Sequence, residues 1–233
     1  MEEAVNYAIE RFSTPDAILE LAKTLSAHDE TRAALRVAEH GLTLDGTRKE
    51  TLAEWLRDRA ANAGDRELAL DAAITAFEAS PSLSTYEAVE ELAADDWEAT
   101  KTELLEFLRT TKPSGTTAGR AVEVFLYEEQ YDAAIELADR TGRTSVIEPV
   151  VEAVTEIHPQ WVINTCKSHA EPIVEQGQHD SYTTAVRWLR RAGEAARAAD
   201  ELNEWRDYVE TMRDDHYRKY KLRPMLDELL EEF

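Results

Sequence analysis

The chain has 233 residues, of which 48 are acidic and 26 basic, and its formal net charge is −22; with 43% apolar residues it can bury a core and is not a wholly disordered polymer. A single cysteine, Cys166, excludes an intrachain disulfide and any multi-cysteine zinc site. No run approaches about 18 uninterrupted apolar residues, and the opening MEEAVNYAIE lacks the basic and apolar regions of a signal peptide, so a cytoplasmic protein with no membrane partner is expected.

Helical spacing runs through nearly the whole chain, and Ala, Leu, Glu and Arg dominate over the 8 Gly and 7 Pro that tight turns would need. Break signals follow in order at Pro15, Asp29, Gly46, Gly64-Asp65, Pro81, Asp95-Asp96, Pro113-Ser114-Gly115, Gly142, Pro159, Gly177 and Pro224. Many are followed by Ser, Thr or Asp, whose side-chain oxygen can cap the next helix. Between them, Leu52, Trp55, Leu56 and Ala60 mark one apolar face, and Leu104, Leu105, Phe107 and Leu108 mark another. Roughly twelve or thirteen helices joined by short connections result, and short connections force antiparallel hairpins. The expected fold is all-α, a superhelix of stacked antiparallel helical hairpins. It is read as a single elongated domain over 1–233, with Pro113-Ser114-Gly115 as a possible division into 1–112 and 113–233.

Three segments align: RAALRVA (32–38), ELALDAA (67–73) and DAAIELA (132–138). Ala34, Ala69 and Ala134 share a position, as do Leu35, Leu70 and Ile135, then Val37, Ala72 and Leu137, then Ala38, Ala73 and Ala138. A looser copy is TTAVRWL (183–189), with Ala185 in register. Small residues at fixed helix positions let a partner helix approach closely while larger neighbours fill the groove. Gly64-Asp65, Ala69, Ala76 and Pro81 together resemble the second helix of a tetratricopeptide repeat, and QYDAAIELA (130–138) resembles the same element. The Trp-Leu-Gly-Tyr spacing of the first helix in that family is absent.

Beyond residue 179 the charge balance changes, with a net −3 over 180–233 against −19 over 1–179. Tyr182, Ala185, Trp188 and Leu189, then Glu204-Trp205 and Tyr208, then His216, Arg218, Lys219 and Leu222 resemble the helical C-terminal tail of prokaryotic SWIM zinc finger proteins. The Cys-x-Cys and Cys-x-His of that zinc finger are missing, so the resemblance implies no metal and no direct DNA contact.

Catalytic constellations are sparse. Glu175 and His179 are the one His–carboxylate pair at helical spacing, too few ligands for a zinc site, and Gly177 interrupts them. Cys166 and His169 could share a helix face, but the apolar Trp161, Val162 and Ile173 around them mark Cys166 as core. Neither a phosphate-binding glycine loop nor a serine-hydrolase elbow occurs. No catalytic residue, metal or cofactor is therefore assigned, and the chain is expected not to be an enzyme.

HYRKYKLRP (216–224) remains as a local break in the negative field, and Arg218, Lys219, Lys221 and Arg223 form a candidate partner-binding basic patch. Three readings stay open. Arg213, Lys219 and Arg223 could answer Asp207, Glu210, Asp214 and Asp215, with the aromatics extending a Trp205, Tyr208, Val209 and Met212 stripe through His216 and Tyr220. The patch could meet a protein. Nucleic acid is the third, weakened by the net charge and by counterion screening. The surplus of carboxylates, with 19 Arg but only 7 Lys, is similar to proteins of halophilic archaea, whose saline cytosol screens such repulsion. The expected function is a protein-interaction scaffold; the alternatives are an accessory subunit of a DNA-associated complex related to SWIM zinc finger proteins and, with no supporting constellation, a hydrolase or metalloenzyme.

Overall fold

A computed structural model describes residue 6 and residues 11–233, so the opening MEEAVNYAIE lies, apart from Asn6, outside the described residues. Among the described residues there are thirteen α-helices and no strand. The first eight are α1 (Pro15–Ala27), α2 (Thr31–Leu42), α3 (Lys49–Ala63), α4 (Arg66–Ala79), α5 (Leu83–Ala93), α6 (Trp97–Thr111), α7 (Gly115–Tyr127) and α8 (Tyr131–Thr141). Then come α9 (Thr144–Val154), α10 (Pro159–Gln176), α11 (Tyr182–Ala198), α12 (Leu202–Asp215) and α13 (Leu222–Glu232). Two compact units form, one ending at Val146 and the other spanning Ile147–Phe233, with the boundary inside α9.

One turn recurs. Asp29, Gly64, Glu129 and Asp200 adopt left-handed backbone, with φ of 62°, 80°, 54° and 60°. In each case the next residue donates its N–H to the carbonyl five positions back: Glu30 to Leu25 at 3.0 Å, Asp65 to Ala60 at 2.9 Å, Gln130 to Phe125 at 2.7 Å and Glu201 to Ala196 at 2.8 Å. That bond closes the end of the first helix and turns the chain into its antiparallel partner. It makes hairpins of α1–α2, α3–α4, α7–α8 and α11–α12.

The alanine positions follow from this turn. Five residues beyond the left-handed residue sit Ala34, Ala69 and Ala134, all fully or almost fully buried. Val37, Ala72 and Leu137 and then Ala38, Ala73 and Ala138 are buried too, and Leu35, Leu70 and Ile135 half-buried, so the three segments share one environment. The fourth copy differs from the sequence expectation. Ala185 lies on α11, which follows Gly177 and a short 3-10 turn (His179–Ser181) in place of the shared turn. Counted from the fourth shared turn, the alanine position is held by Trp205, whose indole N–H donates to Leu189 O at 3.0 Å. A large residue fits there because the facing helix supplies Gly193, where a Cβ would stand only 2.9 Å from Trp205 Cζ2 and from the Phe233 ring.

In the first unit each helix packs mainly on its neighbours in the chain and on the next but one: α1 on α2 and α3, α2 on α3 and α4, α4 on α5 and α6, α5 on α6 and α7. This is the nearest-neighbour pattern of a helical repeat. Ile18, Leu19, Val37, Leu52 and Leu56 fill the seam of the first two hairpins. Gly41 is required there, since a Cβ would meet Ile18 Cγ2 at 2.5 Å and Leu52 Cδ2 at 2.6 Å. The third hairpin, α5–α6, is entered through a capping box in which Ser82 and Thr85 exchange bonds. Its core is aromatic: the buried Tyr86 ring meets Phe77, Trp97 and Tyr127 at centroid distances of 5.8, 5.2 and 6.1 Å.

In the second unit α10 packs along α11, and α11 in turn meets α12 and α13. Arginines on α11 tie the rest together. Arg187 pairs with Glu148 at 3.0 Å, Arg191 with Glu152 at 2.6 Å, and Arg190 with Glu232 at 2.9 Å.

Candidate partner-binding surface

The C-terminal basic stretch divides into residues that face inward and residues that face out. After α12 ends at Asp215 the chain turns, and every third residue points inward: His216 and Lys219 are half-buried and Leu222 is buried. Lys219 does not answer an acid. Its Nζ donates to the carbonyl oxygens of Val174 and, at 3.5 Å, Glu175. These belong to the last turn of α10, where the negative end of the helix dipole attracts a cation, and Val174 O also accepts the Gly177 N–H at 3.2 Å. Burial, with Lys219 beside it, pushes the His216 pKa below the ordinary histidine value, against the opposing pull of Asp215 and Glu175.

Arg213 meets Asp214 at 3.1 Å and Asp227 at 3.3 Å, which ties α12 to α13. The expected pairing of Arg223 with the acids of α12 does not form. No described residue makes an ion pair or hydrogen bond with the side chain of Arg218, Lys221 or Arg223; Arg218 lies over its neighbour Tyr217, its guanidinium carbon 5.3 Å from the ring centroid. The stripe formed by Trp205, Val209 and Met212 is buried, but Tyr220 leaves it because α12 has already ended. Among the described residues Tyr217 and Tyr220 are the most exposed of the large apolar side chains, at 55% and 84%. The basic patch thus loses Lys219 to the interior and gains two tyrosines that charge counting had not placed there.

The remaining residue of the stripe, Tyr208, is half-buried and reaches α10. Its hydroxyl donates to Glu171 Oε1 at 2.9 Å, its ring carries Lys167 Nζ at 4.3 Å, and burial together with Glu171 raises its pKa. Burial likewise lowers the pKa of Lys167.

A second surface lies in the first unit, in a groove of about 510 Å³ between α3 and α5. Ala61, Ala88 and Leu92 line it with Glu54, Asp58, Glu87 and Glu91, while Arg57 pairs with its own neighbour Asp58 at 2.8 Å. Both helices are the first of their hairpins. The sequence could not single these residues out, because carboxylates at helical spacing occur on almost every exposed face.

The residues weighed for chemistry fall apart. Cys166 is fully buried, and burial pushes its thiol up to about 12, so it stays protonated. The His169 ring stacks on Trp188 with centroids 4.9 Å apart. Gly177, at φ +70°, ends α10 between Glu175 and His179 and puts the histidine in the following 3-10 turn against Tyr182. No group of three potential metal ligands occurs among the described residues. No helix there is long and apolar enough to cross a membrane.

No protein-family model matches the chain, and no curated protein matches it. Among solved structures it is similar, at 20% identity, to one titled DHF58 filament, over 98% of this chain and 96% of that one, with a TM-score of 0.18. It is similar, again at 20% identity, to the de novo designed helical repeat protein DHR64, over 98% and 97% of the two chains, with a TM-score of 0.18. The fold assignment rests on the helices and turns themselves: the chain is an all-helical protein of repeated antiparallel hairpins.

Proposed function

We propose that the chain is a non-enzymatic protein-interaction scaffold of tetratricopeptide-like type that works in a saline cytosol. The observation that supports this reading is the repetition of one hairpin, with the same turn at Asp29, Gly64 and Glu129 and the same buried alanines beyond it. Repetition of this kind builds extended surface rather than an enclosed pocket, and repeat arrays use such surface for peptides and partner helices. The groove between α3 and α5 and the exposed turn at 217–223 are both available to a partner.

The test is capture from native lysate at molar salt with the immobilised full chain, beside an unrelated protein of similar negative charge. A partner retained by this chain alone is expected. Recovery of the same proteins on both supports would sink the scaffold reading.

An accessory role in a DNA-associated complex is the second reading. It draws on the unpaired Arg218, Lys221 and Arg223 and on the resemblance of the C-terminal third to the tail of SWIM zinc finger proteins. Retention on duplex DNA at low salt, lost on charge reversal at Lys221 and Arg223, is its expected signature; a chain that passes through the column at low salt has no such role.

A further inference from the structure

Residues 217–223 form a surface that is anchored from the inside and whose outward cations no described residue pairs. Two inward anchors fix it: Lys219 on the carboxyl end of α10, and Leu222, which is fully buried. Around them Tyr217, Arg218, Tyr220, Lys221 and Arg223 are all exposed. Among the described residues, three cations stand without a carboxylate in a chain that has 48 of them. The first turn of α13, an 11-residue helix, carries no acidic residue, whereas the dipole at a helix N-terminus favours one. Lys221 is the N-cap there and Arg223 lies in the first turn, so a negative charge is lacking where these side chains would accept it. The two tyrosines beside these cations offer apolar rings with a polar tip, the kind of side chain that anchors protein interfaces.

Resting on the scaffold reading, we propose that this turn docks an acidic segment of a protein partner that also carries apolar side chains. Arg218, Lys221 and Arg223 meet its carboxylates, and Tyr217 and Tyr220 cover its leucine- or phenylalanine-type residues. A short acidic peptide fits better than a polynucleotide. Duplex DNA brings about one charge per 1.7 Å along a stiff rod and would extend past three cations into the field of a protein of net charge −22. The apolar share also suits a saline setting, because salt that shortens the Debye length to about 3 Å at 1 M weakens ion pairs but not ring burial.

The probe is a fluorescein-labelled synthetic peptide with Asp and Glu on one helical face and Leu and Phe on the other, titrated against the full chain by anisotropy. The combined R218E/K221E/R223E variant is expected to weaken binding at least about tenfold at 0.1 M salt. Tyr217→Ala with Tyr220→Ala is expected to weaken it several-fold, a loss that persists at 1 M salt. Lys219→Met should lower the melting temperature yet leave the affinity within about twofold, which separates the docking residues from their anchor. The proposal is overturned if the triple reversal binds as the native chain does, or if an oligo-dT strand binds more tightly than the peptide. A lysate partner captured equally by the native chain and the triple variant would overturn the patch and leave the scaffold reading intact. A native chain that captures nothing specific from lysate would instead end the scaffold reading, while the peptide titration still decides the patch.

Discussion

Single residues carry the shared turn, and they do so at different cost. Gly64 adopts φ 80° without a side chain, and nothing stands within 4 Å of where its Cβ would be. Asp29, Glu129 and Asp200 hold comparable angles with one. Aspartate tolerates left-handed backbone better than glutamate, because its short side chain can bond locally. Glu129→Gly should therefore stabilise the fold by about 1 kcal/mol, and Gly64→Ala should cost a similar amount. Urea unfolding midpoints measure both; a destabilised Glu129→Gly would show that the Glu129 side chain is needed where it stands. His216 gives a signed pH dependence. Its folded-state pKa is depressed, chiefly by burial and then by Lys219, so the unfolded chain takes up the proton first. Stability should fall as pH drops below about 6.5 and level off below the folded value. His216→Gln should lose less between pH 7.5 and pH 5.5 than the native chain, by a modest margin because the ring is only half-buried. Equal losses in the two proteins would remove His216 as a source.

At the scale of helices, two kinds of contact fix which elements meet. Small-residue seams allow close approach: Gly41 against Ile18 and Leu52, Gly193 against Trp205 and Phe233. Polar ties then choose the partner. Arg187 and Arg191 reach from α11 to α9, Arg190 reaches to α13, and Tyr208 reaches from α12 to α10. The Lys219 tie is the most specific, since it satisfies the carbonyls at the end of α10 rather than a mobile carboxylate. Lys219→Met should cost about 1 kcal/mol. It should also speed amide exchange in the last turn of α10, read by hydrogen-exchange mass spectrometry. Unchanged protection there would mean that the lysine is not needed to hold that helix end. The alanine positions of these elements were legible in the sequence because burial of a helix face repeats at fixed spacing. The exposure of Tyr220 was not, because it depends on α12 ending at Asp215 and on a partner 45 residues away from Lys219 in the chain.

For the molecule as a whole, charge sets the conditions of stability. A net charge of −22 over 233 residues makes the compact state repel itself, and salt relieves that repulsion by shortening the Debye length from about 10 Å at 0.1 M to about 3 Å at 1 M. The melting temperature should rise across that range in potassium chloride and rise further toward 3 M. A melting temperature independent of salt would remove the saline-cytosol reading while leaving the fold untouched.

The sequence by itself determined that the chain is helical, that its helices pair as hairpins, and that Ala34, Ala69 and Ala134 occupy equivalent buried positions. Those properties are local: they follow from apolar periodicity, from residues that suit a helix end, and from small side chains at a fixed distance beyond a turn. Tertiary structure alone decided that Trp205 takes the fourth such position, that Lys219 turns inward, and that Arg218, Lys221 and Arg223 stand unpaired beside two exposed tyrosines. Each of these depends on where a sequence-distant helix ends or what faces it. Composition records how many charges a chain has, and only the folded backbone determines which of them find a partner.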